Sequence, residues 1–365
     1  MTPVRIMHIV GARPNFMKVA PIMAAMAKLR GEFRQILVHT GQHYDRNMSE
    51  VFFEQLGMPA ADETLGVGSG THADQTARVM QRFEPVLLRH RPDWLLVVGD
   101  VNSTLACALV AAKLGVKVVH VEAGLRSGDW SMPEEVNRVL TDRLSNLLLT
   151  PSMDANRNLA HEGIAKSRVR LVGNVMIDSL VRLLPAARRS LVIRKLGLSR
   201  ESFVLVTLHR PDNVDEPATL KVILSALAGM AKRIPVVFPV HPRTRKVIQA
   251  YHFERSAGDV RLLEPLGYMD FLALTDSARV VLTDSGGIQE ETSYLGVPCL
   301  TVRPNTERPV TVTRGTNRLI PASGMAIKAG FERVMRAPCR KKCTIPMWDG
   351  QTAPRIARTL ARHES

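Results

Sequence analysis

The residues with the clearest capacity for chemistry are three carboxylates that follow apolar runs. Asp100 comes after Trp94–Val98, Glu122 directly ends the run Val116–Val121, and Glu134 stands shortly beyond, at the start of a helical pattern. Crowded carboxylates near a bound phosphate push each other's pKa values apart, so that one site can hold both an acid and a base. Asp100 also fits an ordinary helix N-cap, whereas Glu122, followed by an Ala-Gly pair, fits none.

Phosphate-binding features occur in both halves of the chain. The segment Asp284–Gly287 opens a helical pattern with two glycines, whose backbone N–H groups and helix dipole suit a phosphate. Arg13 and Lys18 follow the first apolar run, where a guanidinium fork and a point charge could add to anion binding. The alternatives are a simple N-cap for the glycine segment and solvated surface charge for the two cations.

Two histidines, His209 and His241, each end an apolar run in the second half, and a functional and a structural role fit them equally well. Metal-ligand spacings are absent, and the Cys339/Cys343 pair is not a C-x-x-C motif. The chain also lacks G-x-G-x-x-G after its first strand and any G-x-x-x-x-G-K-[ST]. We therefore expect neither a metal nor a nicotinamide cofactor.

The composition favours an anionic small-molecule ligand. The 365 residues include 49 Lys and Arg against 34 Asp and Glu, a net charge of +15, but only 5% are aromatic. Nucleic-acid binding usually adds stacking aromatics or a recognisable motif, so we expect no nucleic-acid partner. No apolar run approaches the about 20 residues of a membrane span. The expectation is a cytoplasmic protein without a membrane span.

The elements that must position these residues alternate between strands and helices. Continuous apolar runs separated by helical patterns predict parallel sheets covered on both faces. The predicted strands are Val4–Val10, Gln35–Thr40, Trp94–Val98, Val116–Val121, Asn146–Thr150, Val169–Val172, Phe203–Leu208, Val236–Val240, Val260–Leu263, Arg279–Thr283 and Pro298–Val302. We predict an N-terminal domain over 1–175, a nucleotide-binding C-terminal domain over 176–345, and a closing helix over 346–365 that packs back on the first domain.

Taken together, the motifs resemble the non-hydrolysing UDP-N-acetylglucosamine 2-epimerases. The two most specific blocks are His120–Arg126 and Leu282–Glu291. The others are Gly11–Pro14 with Lys18, Gln42–His43, Gly99–Asp100 with Ser103–Ala106, Pro133–Arg138, Gly173–Asn174, His209–Arg210, Pro239–Pro242 and Thr306–Pro309.

The resemblance implies an α/β fold of two Rossmann-like domains facing across a cleft, the glycosyltransferase-B arrangement. It implies a cytoplasmic homodimer that inverts C2 of UDP-N-acetylglucosamine for cell-surface polysaccharides, with no cofactor. The catalytic residues that it implies are Asp100, Glu122, Glu134, His209 and Lys18. The substrate-binding residues that it implies are Arg13, Arg138, His241, Phe271, Ser285, Gly286, Gly287, Glu291 and Arg308.

The resemblance also implies a reaction. UDP leaves C1 as a base removes the C2 proton, and UDP adds back to the glycal with a proton delivered to the other face. Some positions depart from the family pattern: Asn15 replaces a common Glu, Pro211–Asp215 replaces a different loop, and Tyr44 follows Gln42–His43. The alternatives are an epimerase of a UDP-diacetamido-uronic acid, a glycosyltransferase of the same fold and, from the net charge of +15, a non-enzymatic nucleic-acid binder.

Overall fold

The computed structural model describes most of the chain. The described residues are 2–41, 56–337, 340 and 343–362, with Arg13 described through its backbone only. The Gln42–His43 motif, Tyr44 and Cys339 lie outside them, so the interpretations of those positions stay predictions.

The chain folds as two compact units. The first comprises Met1–Ser179 together with Pro346–Ser365, and the second comprises Leu180–Ile345. The first division falls within a helix, Val175–Ala187, a few residues beyond the boundary expected from the sequence.

Within the described residues, the first unit holds a sheet of seven parallel strands in the order β3-β2-β1-β4-β5-β6-β7. Its strands are β1 Val4–Val10, β2 Phe33–His39, β3 Glu63–Thr64, β4 Trp94–Val98, β5 Lys117–Val121, β6 Leu147–Thr150 and β7 Val169–Leu171. Its helices are α1 Arg13–Lys28, α2 His72–His90, α3 Asn102–Lys113, α4 Pro133–Leu144, α5 Met153–His161 and α6 Val175–Ala187, which runs into the second unit.

The second unit holds six parallel strands in the order β10-β9-β8-β11-β12-β13. Its strands are β8 Val204–Thr207, β9 Val236–Pro239, β10 Arg261–Leu263, β11 Val280–Thr283, β12 Cys299–Val302 and β13 Asn317–Ile320. Its helices are α7 Val192–Lys195, α8 Pro211–Val214, α9 Pro217–Ala231, α10 Pro242–Ala250, α11 Glu254–Ala257, α12 Tyr268–Ser277, α13 Gly286–Leu295, α14 Pro309–Thr313 and α15 Gly324–Arg336.

The central strands of both sheets are buried on two faces, as expected for parallel sheets that helices cover on each side. Every residue of β4 and of β11 is buried, which matches their unbroken apolar sequences. In each sheet the strand order reverses beside the first strand, between β1 and β4 and between β8 and β11. Ligands of doubly wound sheets bind at such a switch point, beyond the carboxyl ends of the strands. The prediction of two parallel-sheet α/β domains is confirmed.

The last helix, α16 (Thr352–Arg362), belongs to the first unit and contacts α1 there. Asp178 fixes its start, because its carboxylate accepts hydrogen bonds from the N–H groups of Thr352 (3.1 Å) and Ala353 (2.7 Å). Gly173 allows the backbone at Met347 to pass close to the backbone at position 173, because a Cβ at Gly173 would lie 2.1 Å from the carbonyl oxygen of Met347.

Two strands, β3 and β13, were not predicted from the sequence. Both are sheet edges, and the residues of β3 and the centre of β13 are not buried, so neither carries an unbroken apolar run. In the described part of the chain, no helix is long and apolar enough to span a membrane.

Candidate active site

In the first unit, the predicted catalytic residues Lys18, Asp100 and Glu122 lie around the switch point. Lys18 is on α1, which follows β1. Asp100 lies two residues after β4, and Glu122 directly follows β5. Because β1, β4 and β5 are consecutive in the sheet, their carboxyl ends open at one edge.

Lys18 and Glu122 form a buried ion pair through Nζ and Oε2, with 8% and 5% of their side chains exposed. Glu122 holds a left-handed backbone, with φ of 73°, a conformation that is costly for a residue with a side chain. Gly99 makes room for the ammonium, because a Cβ there would lie 3.0 Å from Lys18 Nζ. The backbone thus stores strain at the residue predicted to act on the substrate.

Asn15 lies in the first turn of α1 and ties this helix to β4. Its side-chain oxygen accepts from the N–H groups of Gly11 (3.2 Å) and Ala12 (3.0 Å), and its amide donates to the carbonyl of Val98 at 3.1 Å. A glutamate, which the resemblance leads us to expect at this position, could not donate that last hydrogen bond. The departure therefore has a local structural role.

Arg138 on α4 holds Asp100 in place. Its guanidinium donates to Asp100 Oδ2 from Nε (3.2 Å) and Nη2, and to Glu135 Oε2 from Nη1. Glu135 in turn accepts from the N–H groups of Ser127 and Gly128 in the preceding loop. Arg138 was predicted to bind substrate, and that stays a prediction; in this structure it is buried between two carboxylates.

His120 and Asp142 form a buried pair beside Glu122, and the sequence predicted no role for either residue. Asp142 Oδ1 lies 2.7 Å from His120 Nδ1, and its Oδ2 accepts from Gly124 N (3.0 Å) and Arg126 Nη1 (2.7 Å). Burial alone would raise the pKa of Asp142, but His120 and Arg126 outweigh it and lower the pKa below its usual value. Asp142 therefore holds His120 and Gly124, which lie two positions before and two positions after Glu122.

His120 faces acceptors on both sides of its ring. Its Nε2 lies 2.8 Å from the carbonyl oxygen of Gly99, opposite the contact to Asp142. A neutral imidazole has one N–H donor, so the tautomer decides which of the two acceptors receives a hydrogen bond. This contact joins β5 to Gly99, the residue that lies between the end of β4 and Asp100.

Glu134 takes no part in this cluster as the structure describes it. Its side chain is exposed at the start of α4, and no described hydrogen bond or ion pair joins it to the other predicted residues. Its catalytic role stays a prediction. The side chain of Arg13 is outside the described part of the chain.

In the second unit, His209 and Asp284 meet across the switch point between β8 and β11. Asp284 is fully buried and its Oδ1 lies 2.9 Å from His209 Nδ1. The backbone N–H groups of His209 and Arg210 and the amide of Asn213 also donate to this carboxylate. Burial would raise the pKa of Asp284, but His209 and these donors lower it below its usual value. Asp284, which the sequence analysis placed in the predicted phosphate-binding segment or as a helix N-cap, therefore orients His209.

The two glycines at the start of α13 differ in their surroundings. A Cβ at Gly286 would lie 2.4 Å from Arg308 Nη1 and 2.6 Å from Glu307 Oε1, whereas a Cβ at Gly287 would meet nothing within 4 Å. Gly286 therefore lets Arg308 approach the helix start, and Gly287 borders open space. Ser285 is the N-cap, and its side chain makes no capping bond.

Arg308 is fixed by two acidic partners. Its Nε donates to Glu290 Oε1 at 2.6 Å, and its Nη1 contacts Glu307 Oε1. Glu307 also accepts from Arg303 Nη2 at 2.8 Å, so a buried chain of charges sets the guanidinium beside Gly286. This arrangement suits binding of phosphate oxygens by a preorganised arginine.

Three further predicted binding residues lie on separate elements of the same unit. Glu291 Oε1 accepts from the Tyr268 hydroxyl at 2.9 Å, and Phe271 lies one turn after Tyr268 on α12. His241 is the exposed N-cap of α10, where its Nδ1 accepts from Arg243 N at 3.2 Å. Burial, His209 and Arg243 lower the pKa of His241, so the ring favours its neutral form.

Both units therefore present polar side chains beyond the carboxyl ends of parallel strands, as α/β enzymes that bind small anionic ligands do. Within the described residues, no three His, Cys, Asp or Glu side chains are grouped as a metal site requires.

Comparison with known proteins identifies the family. The profile of the UDP-N-acetylglucosamine 2-epimerases matches residues 26–361. A UDP-N-acetylglucosamine 2-epimerase of Methanocaldococcus jannaschii is 40% identical over 360 residues, 96% of this chain and 97% of that protein. The UDP-2,3-diacetamido-2,3-dideoxy-D-glucuronate 2-epimerase of Pseudomonas aeruginosa is 42% identical over 362 residues, 98% of this chain and 99% of that protein.

A solved structure gives the same result. The crystal structure of Methanocaldococcus jannaschii UDP-GlcNAc 2-epimerase in complex with UDP-GlcNAc and UDP matches with a TM-score of 0.90 at 38% identity, covering 98% of this chain and 100% of that one. The chain belongs to the UDP-N-acetylglucosamine 2-epimerase family and is an enzyme of the isomerase class. The resemblance inferred from the motifs is confirmed.

Proposed function

We propose that this enzyme interconverts UDP-N-acetylglucosamine and UDP-N-acetylmannosamine by inverting C2 of the sugar. The observation that carries the proposal is the buried Lys18–Glu122 pair, with Asp100 after the neighbouring strand, in a chain of this family. The printed ligands of the Methanocaldococcus jannaschii crystal structure, UDP-GlcNAc and UDP, support the choice of substrate.

In this proposal the second unit binds the nucleotide. The N–H groups at the start of α13, from Gly286 and Gly287, and the guanidinium of Arg308 hold the diphosphate. Glu291 accepts from the ribose hydroxyls, and Phe271 lies beside the uracil. No metal is needed in this arrangement, because N–H groups and cations supply the positive charge.

The carboxylates of the first unit act on the sugar. The C2 proton is weakly acidic, since no carbonyl adjoins C2, so its removal must be coupled to departure of UDP from C1. One group takes the proton from one face, and another delivers a proton to the opposite face as UDP adds back. Asp100, Glu122 and Glu134 are the proposed acid and base groups, with Lys18 beside them and His209 assisting at the diphosphate.

The proposal extends to the setting of the enzyme. We propose a cytoplasmic homodimer that supplies a precursor of cell-surface polysaccharides, and that binds a UDP-sugar and no nucleic acid. Light scattering of the purified protein checks the dimer, and a mass equal to one chain would contradict it.

A second candidate substrate is a UDP-diacetamido-uronic acid, favoured by the 42% identity to the Pseudomonas aeruginosa enzyme named for such a substrate. The two candidates differ by the C6 carboxylate and the acetamido group at C3. NMR assays with each UDP-sugar alone distinguish them through kcat/KM. Faster conversion of the uronate would make it the substrate in place of UDP-N-acetylglucosamine. The proposed reaction, inversion at C2, would be unchanged.

The first prediction concerns nucleotide binding. UDP should raise the melting temperature without added metal, and Gly286→Ala should weaken UDP binding tenfold or more, because the new methyl displaces Arg308. Loss of a hydrogen bond to a charged group costs about 1.5–3 kcal/mol, and about 1.4 kcal/mol is a factor of ten. Isothermal titration calorimetry with UDP measures the change.

A second test variant, Gly287→Ala, and a control variant, Gly229→Ala, accompany this experiment. Gly287→Ala should fold normally, since its Cβ meets no protein atom within 4 Å, yet should also weaken UDP binding by crowding the phosphate. Gly229→Ala, an equally unobstructed position on α9, should leave UDP affinity unchanged. Stabilisation by UDP only in the presence of Mg²⁺, or unchanged affinity in both Gly286→Ala and Gly287→Ala, would contradict the proposed site.

A further inference from the structure

The first unit has a pocket of about 470 Å³ between the edge strand β7 and α16. We call it the arginine pocket. It is lined by Arg170, Leu171, Val172, Arg355, Arg358, Thr359 and Arg362. None of these residues belongs to the candidate active site, and the family resemblance assigns them no role.

The arginines of α16 form one stripe along the helix. Arg355, Arg358 and Arg362 are spaced by three and four residues, so they lie on the same face, while Ile356 and Leu360 are buried on the other. Like charges at this spacing destabilise a helix, and a cation in its first turns is opposed by the helix dipole. The apolar face explains how α16 docks, but not why its outer face carries this stripe.

Two of the four guanidinium groups are held in place by the backbone. Arg355 Nη1 donates to the carbonyl of Val172 at 3.1 Å and to Asp349 Oδ1 at 2.9 Å. Arg170 Nη1 donates to the carbonyls of Val169 (2.9 Å) and Ser167 (3.0 Å). Such restrained donors lose little entropy when an anion binds.

Four of the seven residues that line the pocket are arginines. Arg355 pairs with Asp349. Arg358 is exposed, and no hydrogen bond or ion pair is described for it in residues 2–41, 56–337, 340 and 343–362. Four guanidinium groups thus line one cavity.

We propose that the arginine pocket binds a phosphate-bearing anion, separately from the UDP site. Planar guanidinium forks match phosphate oxygens and bind them bidentately. The lining residues include no aromatic ring on which a base could stack, and the volume lies in the usual range of small-ligand pockets. The ligand class is therefore a phosphate or diphosphate group, either free or as the headgroup of an anionic lipid.

Calorimetry of the full chain with inorganic pyrophosphate tests this inference. Saturating UDP is present throughout, so that the nucleotide site is already filled. We expect saturable binding, weakened at least tenfold in the double variant Arg358→Gln/Arg362→Gln. The matched control is Arg157→Gln, an exposed arginine on α5 outside the pocket, and it should bind as the unchanged protein does.

A vesicle assay separates the two sources of the phosphate. Sedimentation with phosphatidylglycerol vesicles but not phosphatidylcholine vesicles, lost in the double variant and kept in Arg157→Gln, identifies a lipid headgroup. Pyrophosphate binding without sedimentation identifies a free anion. No saturable binding in either assay, or equal binding by the double variant, would overturn the proposal; the UDP titration, measured separately, reports on the proposed function.

Discussion

Replacing Glu122 with glutamine should lower kcat by about 10²–10⁴-fold, the usual contribution of one acid or base group. Glutamine keeps the shape of the side chain but cannot take up a proton from C2, and it removes the charge that pairs with Lys18. The same loss is expected for Asp100→Asn and Glu134→Gln. UDP affinity should change little in all three variants, because the proposed diphosphate donors belong to the other unit.

The matched control is Glu63→Gln, which removes a partly exposed carboxylate paired with Arg89 at the edge of the same sheet. Initial rates by NMR and UDP titration of each variant separate chemistry from binding. Turnover in Glu122→Gln equal to that of Glu63→Gln would remove Glu122 from the mechanism. A variant that releases the glycal would identify a residue needed for re-addition.

The second large effect is expected for Asp142→Asn, which should lower the free energy of unfolding by about 3–5 kcal/mol, as removal of one partner from a buried charge pair does. All the partners of Asp142 described above, His120, Gly124 N and Arg126, donate hydrogen bonds to it. The amide NH₂ of asparagine would face one of these donors. Turnover should fall as well, since these residues flank Glu122.

Urea unfolding measures this change, with Asp93→Asn as the control. Asp93 pairs with Arg5, both partners being more than a third exposed, and such pairs contribute about 0–1 kcal/mol. Because the pKa of Asp142 is lowered by folding, its stabilisation is present at neutral pH and is lost as pH falls below about 4. The difference between the original protein and Asp142→Asn should therefore shrink at low pH. A constant difference, or one no larger than that of Asp93→Asn, would contradict the role of Asp142.

The central strands and their carboxyl ends could be predicted from sequence because burial on two faces leaves an unbroken apolar run. Asp100, Glu122 and His209 were found in this way, as the first polar residues after such runs. The edge strands β3 and β13 carry no such signal, because exposure on one side admits polar residues.

The partners that hold those residues could not be found in the same way. Glu135, Arg138 and Asp142 lie on the buried face of α4 at helical spacing, so that this helix buries a charged face instead of an apolar one. That pattern is a usable signal for a site, since buried charges must be paired. Which carboxylate each cation meets depends on tertiary packing, as with Glu122 and Lys18, which lie 104 positions apart.

The most direct test of the account is epimerisation of UDP-N-acetylglucosamine in D₂O, followed by ¹H NMR of the product. Proton removal at C2 and delivery from solvent-exchanged groups predict UDP-N-acetylmannosamine with deuterium at C2, formed without added metal or nicotinamide. Product that keeps its original hydrogen at C2 would contradict elimination and re-addition. Absence of the manno epimer under conditions where UDP binds would contradict the proposed reaction itself.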